Sequence, residues 1–422
     1  MGSMQRYAAT VLGAGAVVLA FGAFAPAAAQ AATPATLYVS QGGLNSGTCP
    51  ATAPCATVSY ALTQAASGAT IEVSGTIDDN LNITSPVTIT TWPGGPDGSS
   101  AVLDYPASNA AVVYDQGVTG ITLHDLTIEN GDPGILNYGG TVTLSDSTVT
   151  GALGDAGIDT DGIMTITDST IANNSLGGIK NNQGTTTVIA STISGNSGYG
   201  VESINGGVVS LGATIVAGNT SANCQGAAGS LVSAGYNLTN DQNGTACAFN
   251  APSDLVNKNP LLGHLVSNGG LTQTMLPSTK SPAANVIPKG TLPLRGVAVC
   301  PATDQRGVAR PGRGHTRCSI GAAEVSFKNP TTTSVTVSPA TVTAGTNVIY
   351  LAVVTPQSGT GTPAGTITFT TGSTTLCTAV LSGGVAACGA TTAPVGTDTV
   401  TGTYSGGSGY ASSSATATLT VT

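Results

Sequence analysis

Five copies of one short sequence unit lie between residues 121 and 219, and this repeat constrains the fold more than any other feature of the chain. The copies read ITLHDLTIEN, TVTLSDSTVTG, MTITDSTIANN, TTVIASTISGN and VSLGATIVAGN. Their last apolar positions are 21, 22, 22 and 23 residues apart, at Ile128, Val149, Ile171, Ile193 and Val216. A repeat of this length predicts a fold in which each unit stacks on the next.

Two further apolar series run in step with the first. One lies five positions earlier, at Leu123, Leu144, Ile166, Val188 and Leu211, and the other usually follows a glycine, at Ile135, Ile158, Ile179 and Val201. Short β-branched runs with period-2 alternation are separated by Asn-Gly, Gly-Gly and Asn-Asn turn signals. A unit of ~22 residues therefore holds about three short strands. This predicts a parallel β-solenoid, because a β-propeller needs repeats of about 40–50 residues.

The repeat units resemble the coils of right-handed parallel β-helix proteins of the pectate-lyase-like superfamily. That resemblance implies right-handed winding and extracellular polysaccharides as ligands or substrates. The expected fold class is all-β: a right-handed parallel β-helix with ~22-residue coils, followed by an Ig-like β-sandwich.

The N-terminus is typical of an exported protein. Residues 1–31 contain Arg6, an apolar stretch over residues 8–25 and the small-residue sequence Ala29-Gln30-Ala31, which together predict a signal peptide. An uncleaved membrane anchor is the alternative. The prediction is a secreted or cell-surface protein that is not inserted in the membrane after signal cleavage.

The eight cysteines agree with an oxidising compartment. They form four couples that are close in sequence, which predicts the disulfides Cys49–Cys55, Cys224–Cys247, Cys300–Cys318 and Cys377–Cys388. A zinc site is the alternative, but the sequence has no CxxC motif and only three histidines.

A solenoid needs its open ends covered, because an exposed end presents unpaired strand edges and apolar side chains. Residues 57–67 have Val58, Ala61, Leu62 and Ala65 at helical spacing. This segment is the predicted N-terminal cap of the domain that spans residues 32–325.

Residues 220–325 resemble the choice-of-anchor Q domain of secreted bacterial proteins. The resemblance rests on GYNL, on the run NPLLGHLVSNGGLTQTMLPSTKSPA, on CPATDQRGVARP and on CSIGAAE. It implies varied surface anchors and no catalytic activity, and we expect this region to close the C-terminal end of the β-helix. Its positively charged side chains either contact an anion such as a uronate or hold the cap in place through ion pairs. These side chains are Arg295, Arg306, Arg310, Arg313, Arg317 and His315. In the second case Asp304 is the expected partner of Arg306 or Arg310.

Residues 326–332 read as a linker and residues 333–422 as one β-sandwich of about seven strands. SPATVTAG, GTITF, APVGTDTVTGTYSG and TATLTVT resemble bacterial Ig-like repeats. Cys377 and Cys388 flank the turn at Ser382-Gly383, so we expect them to face each other across an antiparallel hairpin.

The candidates for chemistry are few. Between Cys55 and Thr220 there is no arginine, and the only basic side chains are Lys180 and His124. Asp125, Asp146 and Asp168 occupy one position in three consecutive units, and stacking puts neighbours about 4.8 Å apart. Asp146, Asp168, Lys180 and His124 are therefore the candidate catalytic residues.

Two further interpretations of the acidic residues remain open. Asp155, Asp159 and Asp161 form a second acidic cluster. The row of aspartates is either a solvated turn ladder, in which each side chain bonds its own backbone two residues on, or a calcium site. In the second case calcium is held by Asp125, Asp146, Asp168, Asp159 and Asp161.

Charge and composition limit the classes of function that this chain is expected to have. The net charge is −9, with 11 basic and 20 acidic residues, which excludes nucleic acid as an expected partner. The sequence predicts a monomeric, non-catalytic adhesion or glycan-binding protein without a cofactor, whose partner is an extracellular polysaccharide or a cell-surface component. A polysaccharide lyase or glycosidase acting along the β-helix face is the first alternative, and a structural cell-envelope protein is the second.

Overall fold

The computed structural model describes residues 36–422 except 99, 108, 243–245, 292–295, 297, 314, 326–328, 358–360 and 408. The predicted signal peptide, residues 1–31, lies outside the described residues. The first part of the described chain contains β1 (Thr36–Ser40), α1 (Val58–Gln64), β2 (Ala69–Asp78), β3 (Leu81–Ile83), β4 (Val87–Thr91), β5 (Ala101–Tyr105), β6 (Val113–Asp115), β7 (Thr119–His124), β8 (Leu126–Asn130), β9 (Ile135–Asn137), β10 (Thr141–Ser145), β11 (Thr148–Thr150), β12 (Ala156–Thr160), β13 (Ile163–Thr167), β14 (Thr170–Ala172), β15 (Gly177–Asn182), β16 (Thr185–Ile189), β17 (Thr192–Ser194), β18 (Tyr199–Ile204), β19 (Val208–Gly212), β20 (Ile215–Ala217), β21 (Ala222–Gly226), β22 (Leu231–Ser233) and β23 (Leu238–Thr239).

The remaining strands belong to the C-terminal part. They are β24 (Ile287–Pro288), β25 (Arg317–Cys318), β26 (Thr331–Ser338), β27 (Thr341–Val342), β28 (Val348–Pro356), β29 (Thr366–Thr371), β30 (Thr374–Val380), β31 (Val385–Ala390), β32 (Gly396–Tyr404) and β33 (Ser413–Val421).

Strands β2 to β23 wind into a parallel β-helix with three faces. The first sheet has the order β22-β19-β16-β13-β10-β7-β4-β2, and β1 also pairs with β2. The second sheet begins in the second half of β2 and continues through β5, β8, β11, β14, β17, β20 and β23. The third sheet is β21-β18-β15-β12-β9-β6-β3. Each coil thus contributes one strand to each sheet, and the predicted fold class is confirmed.

The three apolar series of the sequence form the core of this β-helix. Consecutive members of each series are register partners in neighbouring coils, as Ile128 is with Val149 and Leu123 with Leu144. In the third series Ile158 pairs with Ile135 on one side and Ile179 on the other. All the members of these series are buried. Neighbouring coils therefore remove each other's apolar side chains from water, which a single coil could not do.

A ladder of buried asparagines follows one turn of the coils, and the sequence reasoning did not anticipate it. The side-chain amide of Asn174 donates to Asn196 at 2.9 Å, and that of Asn196 donates to Asn219 at the same distance. Asn196 also accepts from the backbone N–H of Asn174 and donates to the carbonyl of Ile171. The ladder satisfies backbone groups that the turn would otherwise bury without partners.

The glycine before each member of the third apolar series has a steric role. A Cβ on Gly157 would lie 2.6 Å from the Asn174 amide nitrogen, and one on Gly200 would lie 2.5 Å from that of Asn219. A Cβ on Gly178 would approach the carbonyl oxygen of Gly200 to 2.5 Å. Only glycine lets the backbone approach the asparagine ladder this closely.

Separate segments cover the two ends of the β-helix. Helix α1 packs against β1, β2 and β3, with Val58 and Ala61 buried, so the predicted N-terminal helix is present; it ends at Gln64, three residues before the predicted limit. At the other end, Leu255 bridges to Leu238, and Phe249 and Cys247 join the apolar core.

Residues 247–255 of the choice-of-anchor-like region thus cover this end, whereas the C-terminal part of that region makes further contacts elsewhere on the β-helix. We use the name lateral cap for residues 260–325. Thr272 donates to the backbone carbonyl of Asp146, and the backbone N–H of Ala322 donates to Thr192. The lateral cap therefore lies along the side of the β-helix, against the second sheet.

The C-terminal domain is a sandwich of two sheets, β26-β28-β31 and β27-β33-β32-β29-β30. Its core contains Tyr350, Phe369 and Tyr404, all fully buried. Its first strand begins at Thr331, so Thr331 and Thr332 of the predicted linker belong to the sandwich.

All four predicted disulfides are present. The geometry expected for the last one was wrong, because Cys377 lies on β30 and Cys388 on β31, and these strands belong to different sheets. This disulfide joins the two layers of the sandwich instead of bridging a hairpin. In the part of the chain that the structure covers, no helix has the length and apolar character to span a membrane.

Candidate functional site

The row of aspartates occupies a turn between the first and second sheets. Asp125, Asp146 and Asp168 have φ values of 56°, 50° and 44°, and Ala190 and Ala213 continue the row at 49° and 53°. Aspartate tolerates this left-handed conformation better than most residues. The hydrogen bonds of the predicted turn ladder come from the next residue instead: the Ser147 hydroxyl accepts from the N–H of Leu126 and donates to the carbonyl of Ser145.

Two of the aspartates hold His124 between them. Nε2 of His124 lies 3.0 Å from Asp125 Oδ2, and Nδ1 lies 3.4 Å from Asp146 Oδ2 and 2.9 Å from the Ser145 hydroxyl. The hydrogen bonds to Asp125 and Asp146 raise the pKa of His124 to about 10, although its partial burial opposes the shift. His124 is therefore protonated at neutral pH and cannot accept a proton as a general base.

The third aspartate is buried under the lateral cap. Asp168 lies 3.0 Å from Arg310, and the same guanidinium contacts Glu324 at 3.3 Å and the carbonyls of Ser319 and Gly321. Burial raises the pKa of Asp168 to about 7, while the charge of Arg310 opposes this shift. These contacts separate Asp168 from the half-buried pair formed by Asp125 and Asp146.

The lateral cap also covers the outer side of the second sheet. The Gln305 side chain accepts from the Thr170 hydroxyl at 2.6 Å, and its amide lies 3.0 Å from the Thr148 hydroxyl and 2.9 Å from that of Thr272. The arginine-rich segment is pinned by ion pairs, since Arg306 contacts Asp304 at 2.6 Å and Arg310 contacts Asp168. The predicted partnership of Asp304 with Arg306 is confirmed; Arg295 lies outside the described residues.

The outer side of the third sheet, in contrast, carries an open cleft of about 340 Å³. It is lined by Asp155, Ala156, Leu176, Gly177, Ile179, Lys180, Ser197, Gly198, Tyr199, Glu202 and Ser221. Tyr199 occupies the row position held by Ala156, Gly177 and Ala222 in neighbouring coils. One large side chain in a row of small ones forms a wall, and the small residues form the floor beside it.

A charged row runs along the edge of this cleft. Asp159, Lys180 and Glu202 are register partners on three consecutive strands. The Lys180 ammonium lies 2.9 Å from Asp159 and 3.2 Å from Asp155. Burial by itself would lower the pKa of Lys180, but the hydrogen bonds and charges of Asp159 and Asp155 outweigh it and raise the pKa. Lys180 is therefore a cation that organises carboxylates, which is unsuited to proton abstraction.

The acidic residues are therefore divided among several places. Asp125 and Asp146 hold His124, Asp168 binds Arg310, and Asp159 binds Lys180. Asp161 lies near enough to Asp159 to help raise its pKa, after the larger effect of burial. Within the described ranges, no group of three or more His, Cys, Asp or Glu side chains is arranged to hold a metal ion. The five residues proposed from the sequence as calcium ligands do not converge.

Two other cavities lie beside the lateral cap. The larger, of about 720 Å³, lies between the lateral cap and Gly407 and Gly409 of the sandwich. Its Arg306 is already bonded to Asp304 and to the carbonyl of Glu324. The other, of about 350 Å³, contains Glu129.

The sequence reasoning missed Tyr199, Glu202 and Glu129. A signal for Glu202 was present, because one repeat of 22 residues beyond Lys180 is position 202. No comparable signal pointed to Arg310 as the partner of Asp168, since their contact joins the lateral cap to a coil 142 residues earlier.

The fold and this site define the class of protein: a disulfide-bonded parallel β-helix with a cleft on one side, joined to a β-sandwich. Residues 109–259 match the family model described as a right-handed beta helix region, which also gives the handedness. Residues 335–422 match the model described as a bacterial Ig-like domain, group 3. No curated protein and no solved structure matches the chain. A β-helix, an Ig-like domain and four disulfides fit an extracellular or cell-surface protein.

Proposed function

We propose that this chain is a secreted bacterial surface protein that binds glycans without cleaving them. In this proposal residues 1–31 are a signal peptide, residues 32–325 form the binding domain with its choice-of-anchor Q region, residues 326–330 are a linker and residues 331–422 are an Ig-like spacer. The partner is an extracellular polysaccharide or another cell-surface component, and the protein acts as a monomer.

The observation that carries the proposal is the difference between the sides of the β-helix. The lateral cap covers β11, β14 and β17 of the second sheet and leaves a cleft beside Glu129, whereas the third sheet keeps a cleft lined by Tyr199, Lys180 and Glu202. An aromatic wall beside convergent polar groups is the composition expected of a small-molecule site. The two basic side chains of the coils, His124 and Lys180, are both held in their protonated forms, which supports binding over proton abstraction.

The alternative of a polysaccharide-cleaving enzyme is favoured by one observation. Asp104 and Glu129 are register partners on β5 and β8, and Glu129 lines the 350 Å³ cleft. Burial and the nearby charge of Asp104 raise the pKa of Glu129. Two neighbouring carboxyl groups, one of them with a raised pKa, are the arrangement of an acid–base pair.

The test is a combined retention and cleavage assay on the purified full chain. Insoluble polysaccharides of anionic, neutral and cationic type are incubated with the protein, with calcium and with a chelator, and bound protein and new reducing ends are measured. Retention without new ends is expected. New ends that disappear in Glu129→Gln would establish the enzyme instead, and neither retention nor new ends would leave a structural envelope protein.

A further inference from the structure

The cleft on the third sheet carries an excess of negative charge. Asp155, Glu202 and Lys180 line the cleft, and Asp159 pairs with that lysine, so three carboxylates and one ammonium give a local net charge of −2. The lysine ammonium is directed toward Asp155 and Asp159 on the coil before it. The side chain lines the cleft, but its charge is already paired with these two carboxylates.

Glu202 is the group that remains available. It follows Lys180 in the charged row, and its neighbour on the other side is the neutral Gln225. Among the residues that the structure describes, its carboxylate has no ion pair and no hydrogen-bond partner. A half-buried carboxylate at the edge of a cleft can therefore accept hydrogen bonds from a cation, which are stronger than those from a neutral donor.

Tyr199 supplies the complementary apolar surface. Its side chain stands beside the floor formed by Ala156 and Gly177, and the exposed Leu176 lies on the same cleft. A tyrosine ring offers a flat surface to the apolar face of a sugar and attracts a cation through its π-electrons. A carboxylate and an aromatic ring on one cleft together suit a ligand with both hydroxyl and ammonium groups.

We propose that this cleft binds a cationic amino-sugar unit of a glycan, with its ammonium at Glu202 and its ring against Tyr199. The inference rests on the proposed glycan-binding function and specifies its ligand class. An acidic sugar is disfavoured, because its carboxylate would approach a site that already has an excess of two negative charges.

The experiment measures binding of three short oligosaccharides to the full chain by calorimetry. They are a glucosamine tetramer with free amines, its fully N-acetylated form and a galacturonate tetramer. The salt concentration is about 0.15 M, where the screening length is about 8 Å. The glucosamine tetramer is expected to bind at least tenfold more tightly than the other two.

Two pairs of variants locate the site. Glu202→Gln is expected to weaken binding of the glucosamine tetramer about tenfold, as loss of one charge-assisted hydrogen bond implies. Asp78→Asn removes the same charge from an exposed position on β2 and is expected to leave binding unchanged. Tyr199→Ala is expected to weaken binding, and Tyr199→Phe to retain it.

Other binding results would contradict the inference, the location of the site or the proposed function. Equal binding of the N-acetylated tetramer, or tighter binding of the galacturonate tetramer, overturns the inference and leaves glycan binding intact. Equal effects of Glu202→Gln and Asp78→Asn overturn this location of the site. Binding of a lysine tetramer as tight as that of the glucosamine tetramer shows attraction of charge alone and also overturns the inference. If none of the saccharides or polysaccharides binds, the proposed glycan-binding function itself is refuted.

Discussion

The guanidinium of Arg310 and the carboxylate of Asp168 lie 3.0 Å apart, although 142 residues separate them in the chain. The Arg310 side chain is fully buried, and so is that of Glu324, its second acidic partner. This contact attaches the lateral cap to the turn row of the β-helix. Beyond it, toward the C-terminal coils, the row changes to Ala190 and Ala213, which pack against Ile320 and other apolar side chains of the lateral cap.

Replacement of Arg310 by methionine should loosen the lateral cap. Removing one partner of a buried ion pair leaves Asp168 and Glu324 without compensation and typically costs about 3–5 kcal/mol. We expect faster amide hydrogen exchange at residues 317–324 and a lower free energy of unfolding. Arg317→Met, at an exposed arginine of the same lateral cap, is the control and should change stability by less than about 0.5 kcal/mol. Equal effects of the two substitutions would contradict this role of Arg310.

His124 should make stability depend on alkaline pH. Its folded pKa of about 10 lies above the ordinary value of 6.5, so the folded state holds the proton more tightly than the unfolded state. The stabilisation is complete below pH 6.5 and is lost as the pH rises through about 10. We expect a loss of about 1 kcal/mol, because the side chain is 41% exposed and solvent screens the pairs.

The measurement compares the wild-type chain with His124→Gln in denaturant titrations across this pH range. The difference between their stabilities should shrink as the pH rises. NMR titration of the imidazole gives the pKa directly, and a midpoint near 6.5 would disprove the proposed clamp between Asp125 and Asp146.

Replacement of Asn196 by alanine should destabilise the β-helix by about 2–4 kcal/mol. The change leaves the N–H of Asn174 and the carbonyl of Ile171 buried without their partner, and each such group costs about 1–3 kcal/mol. Chemical denaturation measures the loss. Asn82→Ala, at an exposed asparagine on β3, should lie within about 0.5 kcal/mol of the wild type. Similar denaturation curves for Asn196→Ala and Asn82→Ala would show that the ladder does not contribute to stability.

Gly178→Ala should destabilise the chain by about 1–3 kcal/mol through overpacking. The new Cβ would lie 2.5 Å from the carbonyl oxygen of Gly200, and backbone cannot move aside as a flexible side chain can. Gly42→Ala is the matched control, because a Cβ there meets nothing within 4 Å. Thermal unfolding of both variants tests the steric role of this glycine, and an equal shift in their midpoints would refute it.

The sequence by itself determined the β-helix, its core and the four cysteine pairs. The reason is that these features recur or lie close together along the chain: each coil pairs with the next one, ~22 residues later. The same spacing of ~22 residues between coils also predicts that Glu202 lies beside Lys180.

Only the tertiary structure decided which side of the β-helix remains open. The lateral cap folds back over coils far earlier in sequence, where Arg310 meets Asp168 and Gln305 meets Thr148 and Thr170. No local pattern specifies such contacts, because they depend on how a long irregular segment packs against a completed β-helix. That packing buries one candidate aspartate and leaves the cleft of the third sheet exposed.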